Sequence, residues 1–218
     1  MSVPAPSDIE QACMVLAAGD SGLSRAFEVC GTPTWRSKPL TYATLAELVT
    51  YQLISTIAAA SIWGRIEAHL GEVTPDTVLQ APVEALQACG QSRPKIAHMK
   101  SIAQAVETRA LDLAGLPDMP RVQARQALLK VKGIGPWTAE LVMLYGLGEI
   151  DAFPHGDVGL MESYRRLAGA DVRLSGKAFS ELAEGWRPYR GVAAHLLWAW
   201  LNAERAAEKQ TGQTRKLS

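Results

Sequence analysis

Apolar positions recur at helical spacing along almost the whole chain, and the breaks coincide with glycines, prolines and capping residues. Spacing of three and four residues gathers side chains on one face of a helix. It predicts helices over Asp8–Ala18 and Ser24–Cys30, broken by Thr32-Pro33-Thr34-Trp35 and Lys38-Pro39. From Thr41 the pattern runs nearly without pause. Thr41–Ile54 is followed by Ser55–Leu70, which Gly71 ends as a left-handed cap. Thr74-Pro75-Asp76 is a start signal, a capping threonine before a first-turn proline. Ala81–Cys89 stops at Gly90, and Ser92–Arg109 opens with serine and an early Pro94. Pro120–Val131 and Pro136–Leu147 pair across a glycine turn, and Asp157–Leu167, Ser175–Gly185 and Arg190–Lys209 complete the set. The polar tail from Gln210 to Ser218 reads as frayed. No convincing strand alternation and no internal repeat interrupt the series, so the expected class is all-α.

Composition agrees. Alanine and leucine dominate, which favours helices, and 218 residues suffice for one domain or two small lobes. No apolar run approaches the ~18–20 residues that span a bilayer. The first residues have neither a basic nor an apolar stretch, so secretion is not expected. Cys13, Cys30 and Cys89 suit neither a disulfide framework nor a zinc site and read as reduced thiols inside a cell. Lysines and arginines number 22, as do the acids, which counts against a broadly basic nucleic-acid surface unless charge is segregated by face. Arg165, Arg166, Arg173, Arg187 and Arg190 crowd the last third, either as such a face or as ordinary solvated surface.

Two short segments carry candidate chemistry. In Leu129-Lys130-Val131-Lys132-Gly133-Ile134-Gly135-Pro136-Trp137-Thr138-Ala139, Gly133 and Gly135 permit positive φ and leave no side chain in the way. Amides at the start of the second helix then point outward, with the positive end of its dipole, toward an anion such as a phosphate. Pro136 suits the first helical position, and Lys130 and Lys132 flank the turn. An ordinary helix–turn–helix corner is the alternative. Some twenty residues on, Asp157 opens a helix after Phe153-Pro154-His155-Gly156. It is an N-cap, a catalytic carboxylate, or both.

Turn and acid at this spacing resemble the helix-hairpin-helix DNA glycosylase superfamily (HhH-GPD), which removes damaged bases. A third segment, Trp186-Arg187-Pro188-Tyr189-Arg190 followed by Leu197-Trp198, resembles compact AlkA/Mag-like alkyladenine glycosylases related to 3-methyladenine DNA glycosylase II. Gln52-Leu53-x-Ser55 with Ala59-Ala60 and the run Gly90-x-Ser92-x-x-Lys95 also match family patterns, so the resemblance covers about Leu45 to Leu201. It implies two helical lobes with the active site in the cleft between them: residues 41–150, with the hairpin at about 121–147, and a discontinuous lobe of 1–40 plus 151–218. Asp157 becomes the catalytic carboxylate, and Trp137, Trp198 and Leu141 line the base pocket. Gly133, Gly135, Lys132 and Thr138 contact DNA. Leu53 with Gln52 forms the wedge that fills the gap left by a flipped base, although an amphipathic core helix would explain Leu53 as well. Trp186 and Trp200 read as core.

The same resemblance implies hydrolysis without strand cleavage. Where strand-cutting relatives carry a Schiff-base lysine, this chain has Trp137, and no four-cysteine set follows Asp157 to hold an iron–sulfur cluster. No cofactor is therefore expected, beyond a monovalent cation that the family often holds on hairpin carbonyls, here those of Val131 and Ile134. The expected partner is double-stranded DNA with damaged bases, bound by a monomer with no membrane association, in the nucleoid of a bacterium or the nucleus of a eukaryote. Three departures bear on the range of bases. Tyr51 replaces a family glutamine, Leu141 replaces a pocket tyrosine of one branch, and the chain lacks room for that branch's β-rich N-terminal domain. The expected reaction is excision of alkylated purines of the 3-methyladenine type. Its rivals are a glycosylase for deaminated purines or mismatched pyrimidines, and a non-catalytic hairpin DNA-binding module.

Overall fold

A computed structural model of the chain describes residues 3–217, with the backbone alone for 211–217. The described residues form twelve α-helices and no strand: α1 Pro6–Gly19, α2 Ser21–Cys30, α3 Tyr42–Tyr51, α4 Thr56–Leu70, α5 Pro75–Gln80, α6 Val83–Ala88, α7 Arg93–Glu107, α8 Arg121–Leu129, α9 Pro136–Leu141, α10 Val158–Leu167, α11 Gly176–Ala183 and α12 Arg190–Leu217. Among them no helix is long and apolar enough to cross a membrane. Most caps follow the sequence signals, but Ser92 makes no side-chain cap bond before α7, and α2 starts at Ser21 behind Asp20 and not at Ser24. Thr41, Ser55, Thr74, Asp157 and Ser175 each accept a first-turn amide with a side-chain oxygen. The chain divides into two compact units, Lys38–Leu147, and the segment ending at Ser37 together with the one beginning at Gly148.

In the first unit α7 packs against α3 and α5. The Tyr42 hydroxyl donates to the Met99 carbonyl at 3.0 Å. Lys100 Nζ donates to the carbonyls of Leu79 and Ala81 at 3.1 and 2.7 Å, satisfying acceptors that the end of α5 leaves open. The end of α3 is held by the run that precedes and opens α7. Gln91 Nε2 donates to Thr50 Oγ1 and Lys95 Nζ to the Thr50 carbonyl, both at 2.8 Å. Burial pushes the Lys95 ammonium below its usual range.

Three expectations fail locally. The helix expected to reach Ile54 ends at Tyr51. Leu53 then turns into the left-handed region at φ 58°, a strained conformation for a branched residue. The second hairpin helix keeps α geometry only to Leu141 and widens into a π turn over Val142–Gly146, closed by the Leu147 N–H on the Val142 carbonyl at 3.2 Å. The C-terminal helix does not end at Lys209. Its backbone continues to Leu217, beyond the apolar pattern and through Thr211, Gly212 and Thr214, which are weak helix formers. Ser218 lies outside the described residues, as do Met1 and Ser2.

In the second unit α12 packs on α1, α2 and α10. Asp20 ties α2 and α10 to Trp186, which precedes α12. Its Oδ1 caps α2 by accepting the Gly22 and Leu23 amides, and its Oδ2 accepts the Tyr164 hydroxyl at 3.0 Å and the Trp186 indole N–H at 3.1 Å. Phe153, Tyr164, Phe179 and Trp186 form one aromatic cluster with ring centroids 5.3–5.9 Å apart. Trp186 and Trp200 are both buried. Burial, and next the Asp20 carboxylate, push the Tyr164 phenol up to about 12.

The two hairpin glycines have different roles. Gly133 has φ +104°, and a Cβ there would lie 2.7 Å from His98 Cβ and 3.0 Å from His98 Cα on α7. Gly135 is extended at φ −86°, ψ 177°, so the expectation of positive φ holds only at Gly133; a Cβ at Gly135 would meet nothing within 4 Å. Gly133→Ala is expected to cost about 2–4 kcal/mol, from left-handed strain together with overpacking. Gly135→Ala should stay within about 0.5 kcal/mol of the parent. Urea denaturation checks the difference, and equal losses at the two positions would refute it.

Candidate active site

Asp157 stands immediately before α10 as its N-cap. Its Oδ1 accepts the Leu160 N–H at 2.9 Å, the bond a cap makes to the third helical residue. The same oxygen accepts the Trp198 indole N–H at 3.2 Å from α12. Two donors from different helices, converging on one oxygen, fix the orientation of the carboxylate. Gly159 leaves room for this arrangement, since a Cβ there would come within 3.0 Å of Asp157 Oδ1. Asp157 is partly exposed, so the group is held without being sealed from solvent.

Trp198 is held in turn. It is partly exposed, whereas Trp200 on the same helix is buried. The Arg36 guanidinium lies 5.7 Å from its ring centroid, a cation–π distance. The His195 ring meets it at 80° with centroids 5.8 Å apart, and Trp35 stacks on His195 at 4.2 Å and 18°. His195 is only 2% exposed. Its Nε2 accepts the Arg36 backbone N–H at 3.1 Å, so the ring proton sits on Nδ1 and is donated to the Gly191 carbonyl at 2.8 Å. Burial pushes the imidazole down to about 4, with the Arg36 charge acting in the same direction. Arg36, Trp35 and His195 were not picked out in the sequence. The first two lie in a proline-bounded loop without periodicity, and His195 reads as one more residue on the buried face of α12.

The remaining candidates are distributed as follows. Leu53 is 97% exposed at the tip of the α3–α4 turn, which removes the core-helix reading of this residue. Gln52 does not share the tip. Its Nε2 donates to Thr138 Oγ1 at 2.9 Å and lies 3.4 Å from the Gly133 carbonyl, fastening the turn to the hairpin. Thr138 is correspondingly 1% exposed with its hydroxyl engaged, so its side chain is not a surface contact. Leu141 is 3% exposed, within the core of its unit, and Trp137 is partly exposed at the start of α9. Lys130 and Lys132 are exposed beside the turn. The Val131 carbonyl accepts the Ile134 N–H at 3.0 Å, and the Ala139 N–H makes the first helical bond of α9, to the Gly135 carbonyl at 2.9 Å. Arg125 and Glu140 clasp the hairpin's two helices at 2.5 Å.

The arginine cluster of the last third is paired with acids. Arg165, Arg166 and Arg173 surround Glu162, whose carboxyl is pulled down to about 2 by hydrogen bonds from Arg165 and Arg166. Arg187 and Arg190 share Asp151 and Glu184. Pairing of this kind lowers the charge available to a phosphate backbone. Cys13, Cys30 and Cys89 are all free thiols, and burial raises Cys13 to about 12.

Because the folded pKa of His195 lies below the unfolded value, the unfolded chain takes up a proton first as pH falls. The stability contribution is complete above the unfolded value of about 6.5 and is lost progressively toward pH 4, to a total of roughly 3 kcal/mol. Denaturation at a series of pH values should show this slope in the parent and a flatter one in His195→Gln between pH 6.5 and 4. A parallel slope in the variant would show that another group is responsible.

Comparison with known proteins places this geometry in a family. Residues 46–188 match the profile of the HhH-GPD superfamily of base excision DNA repair proteins. The putative DNA-3-methyladenine glycosylase YfjP of Bacillus subtilis is 26% identical over 187 residues, covering 82% of this chain; the chain spans 65% of that relative's length. The structure of 3-methyladenine DNA glycosylase Mag1 from fission yeast (Schizosaccharomyces pombe), in complex with abasic DNA, superposes with a TM-score of 0.74 at 26% identity, covering 86% of this chain and 95% of that one. DNA-3-methyladenine glycosidase from Bacillus halodurans superposes with a TM-score of 0.69 at 31% identity, covering 87% and 88%. The matched segment takes in both the glycine turn and Asp157, and the chain belongs to the HhH-GPD superfamily of base excision DNA repair proteins.

Proposed function

We propose that this protein is a monofunctional DNA glycosylase that hydrolyses the N-glycosidic bond of alkylated purines of the 3-methyladenine type. One observation carries the reading. Asp157, inside the family segment, is oriented by two donors and remains accessible. Similarity to Mag1 and to the Bacillus glycosidase supports the substrate class.

Breaking the glycosidic bond builds positive charge on the sugar, and a fixed carboxylate stabilises that charge and orients the attacking water. An alkylated purine already carries positive charge, so it leaves without a general acid. Trp198 serves twice in this scheme, as a donor that positions Asp157 and as an aromatic surface for the extruded base. Leu53, exposed on a strained turn, acts as the wedge that fills the vacated stack. The hairpin backbone near Gly135, flanked by Lys132, anchors a phosphate without reading sequence. A monovalent cation on the Val131 and Ile134 carbonyls suits an oxygen-only donor set. The scheme gives Asp157 its role without that cation and without an iron–sulfur cluster, for which the given sequence has no four-cysteine set after the aspartate. Incubation with methylated double-stranded DNA and identification of the released bases tests the function directly; release of no alkylated purine would refute it.

Asp157→Asn can still accept the Leu160 and Trp198 N–H groups but cannot balance sugar charge. It should retain the fold and DNA binding while single-turnover base release falls by at least about two orders of magnitude, the loss seen when one electrostatic transition-state contact is removed. Trp198→Phe keeps an aromatic face and loses the indole donor, so it should fall between the parent and Trp198→Ala. A parental rate in Asp157→Asn would leave Asp157 as a cap alone.

Strand cleavage provides a separate check. A Schiff base with the sugar needs a positioned amine, and the position that carries it in strand-cutting relatives is Trp137. Borohydride added during turnover should trap no covalent protein–DNA adduct. An efficient adduct that maps to a lysine would overturn the monofunctional assignment and leave the glycosylase reading in place.

A further inference from the structure

The contact between Arg36 and Trp198 has no role in the scheme above. Arg36 is exposed, yet its backbone is fixed, because its N–H donates to Nε2 of the buried His195. His195 is immobilised by Trp35 stacked on its ring and by its bond to Gly191. The guanidinium therefore hangs from a rigid point and lies 5.7 Å from the centre of the Trp198 ring. The indole N–H of that ring is bonded to Asp157. A permanent cation thus stands beside the aromatic ring whose indole N–H is bonded to the carboxylate, and its anchored backbone keeps it near that ring.

We propose that Arg36 is a specificity-determining residue that disfavours cationic bases relative to neutral ones, and so extends the range of this pocket toward neutral damaged bases. The inference rests on Trp198 being the surface for the extruded base. A cationic base stacking there meets a like charge at close range and competes with the guanidinium for the electron-rich ring. A neutral base meets no such repulsion. As its C1′–N bond breaks, the electron pair passes to the base while the water oxygen bonds to C1′. The base then carries negative charge until it takes up the proton released by the water, and a nearby guanidinium stabilises that charge. When a cationic base leaves, the same electron pair only neutralises it, and Arg36 offers no such help.

The test uses the full-length chain and two duplex probes, one with 7-methylguanine as the cationic base and one with hypoxanthine as the neutral base. Single-turnover release is measured for the parent, Arg36→Gln and Arg36→Lys. Arg36→Gln keeps the backbone donor to His195, so its melting temperature should match the parent, and Arg36→Met reports the same ratio should glutamine impair folding. In the charge-removing variants the cationic-to-neutral rate ratio should rise about two- to fivefold, the equivalent of one exposed cation–π contact. In Arg36→Lys it should stay close to the parent. An unchanged or lower ratio overturns the proposal, including the case where both rates fall together with DNA affinity, which would make Arg36 a phosphate contact. If the parent releases neither probe base and no alkylated purine from methylated DNA, the glycosylase reading itself fails and this inference with it; release of an alkylated purine with an unmoved ratio, or with no hypoxanthine release by the parent, removes Arg36 alone.

Discussion

The carboxylate of Asp157 is where local and tertiary demands meet. As an N-cap it ends a stretch of loop and starts α10, and its Oδ1 satisfies an amide that the helix would otherwise leave open. The Trp198 indole N–H reaches the same oxygen from α12, so the relation between the two helices is expressed at a single atom. His195 meets the Trp198 ring and in turn holds Trp35 by stacking and Arg36 through its backbone N–H. A carboxylate held in this way does not have to be reorganised as charge develops nearby, which is the physical basis of electrostatic catalysis. One oxygen thus serves both the helix cap and the tie to α12.

Charge is managed by pairing rather than by excess. A chain with equal numbers of acids and bases needs its bases segregated to present a basic face, and pairing with acids lowers what the arginines of the last third can supply to one. Glu162 gathers three of them, while Asp151 and Glu184 hold the other two. Those pairs belong to the surface architecture of the second unit, where exposed ion pairs contribute little individually. Exposed Lys130 and Lys132 flank the hairpin turn instead, beside a backbone whose own amides and dipole favour an anion. The proposed phosphate anchor therefore relies on main-chain geometry and not on net charge.

The hairpin in turn depends on what lies behind it. Gly133 is required because the chain passes directly over His98 in a left-handed conformation, a constraint from packing and not from a ligand. Gln52 fastens the α3–α4 turn to the same place, and Lys95 with Gln91 secures the end of α3 through Thr50. Leu53 can therefore sit in a strained and almost fully exposed conformation, because the residues around it are fixed. Residues that match family patterns here, such as Gln52 and Thr138, act by positioning the turn and the hairpin rather than by reaching outward.

Helical periodicity and caps are local properties, and the sequence alone determined them. Twelve helices and no strand could be read from apolar spacing, and Thr41, Ser55, Thr74, Asp157 and Ser175 were identifiable as starts because capping needs only neighbouring residues. The glycine turn and the acid at their characteristic separation identified the family for the same reason, since both lie within one short stretch. Tertiary structure decided the rest. Nothing local stops α3 at Tyr51 or widens the helix after Leu141; those features follow from how the segments pack. Nor does spacing show that Trp198 donates to Asp157 across 41 residues, or that Arg36 and His195 bond across 159. A side chain's partner at such separations is set by which helix faces are brought together, and no pattern along the chain encodes that directly.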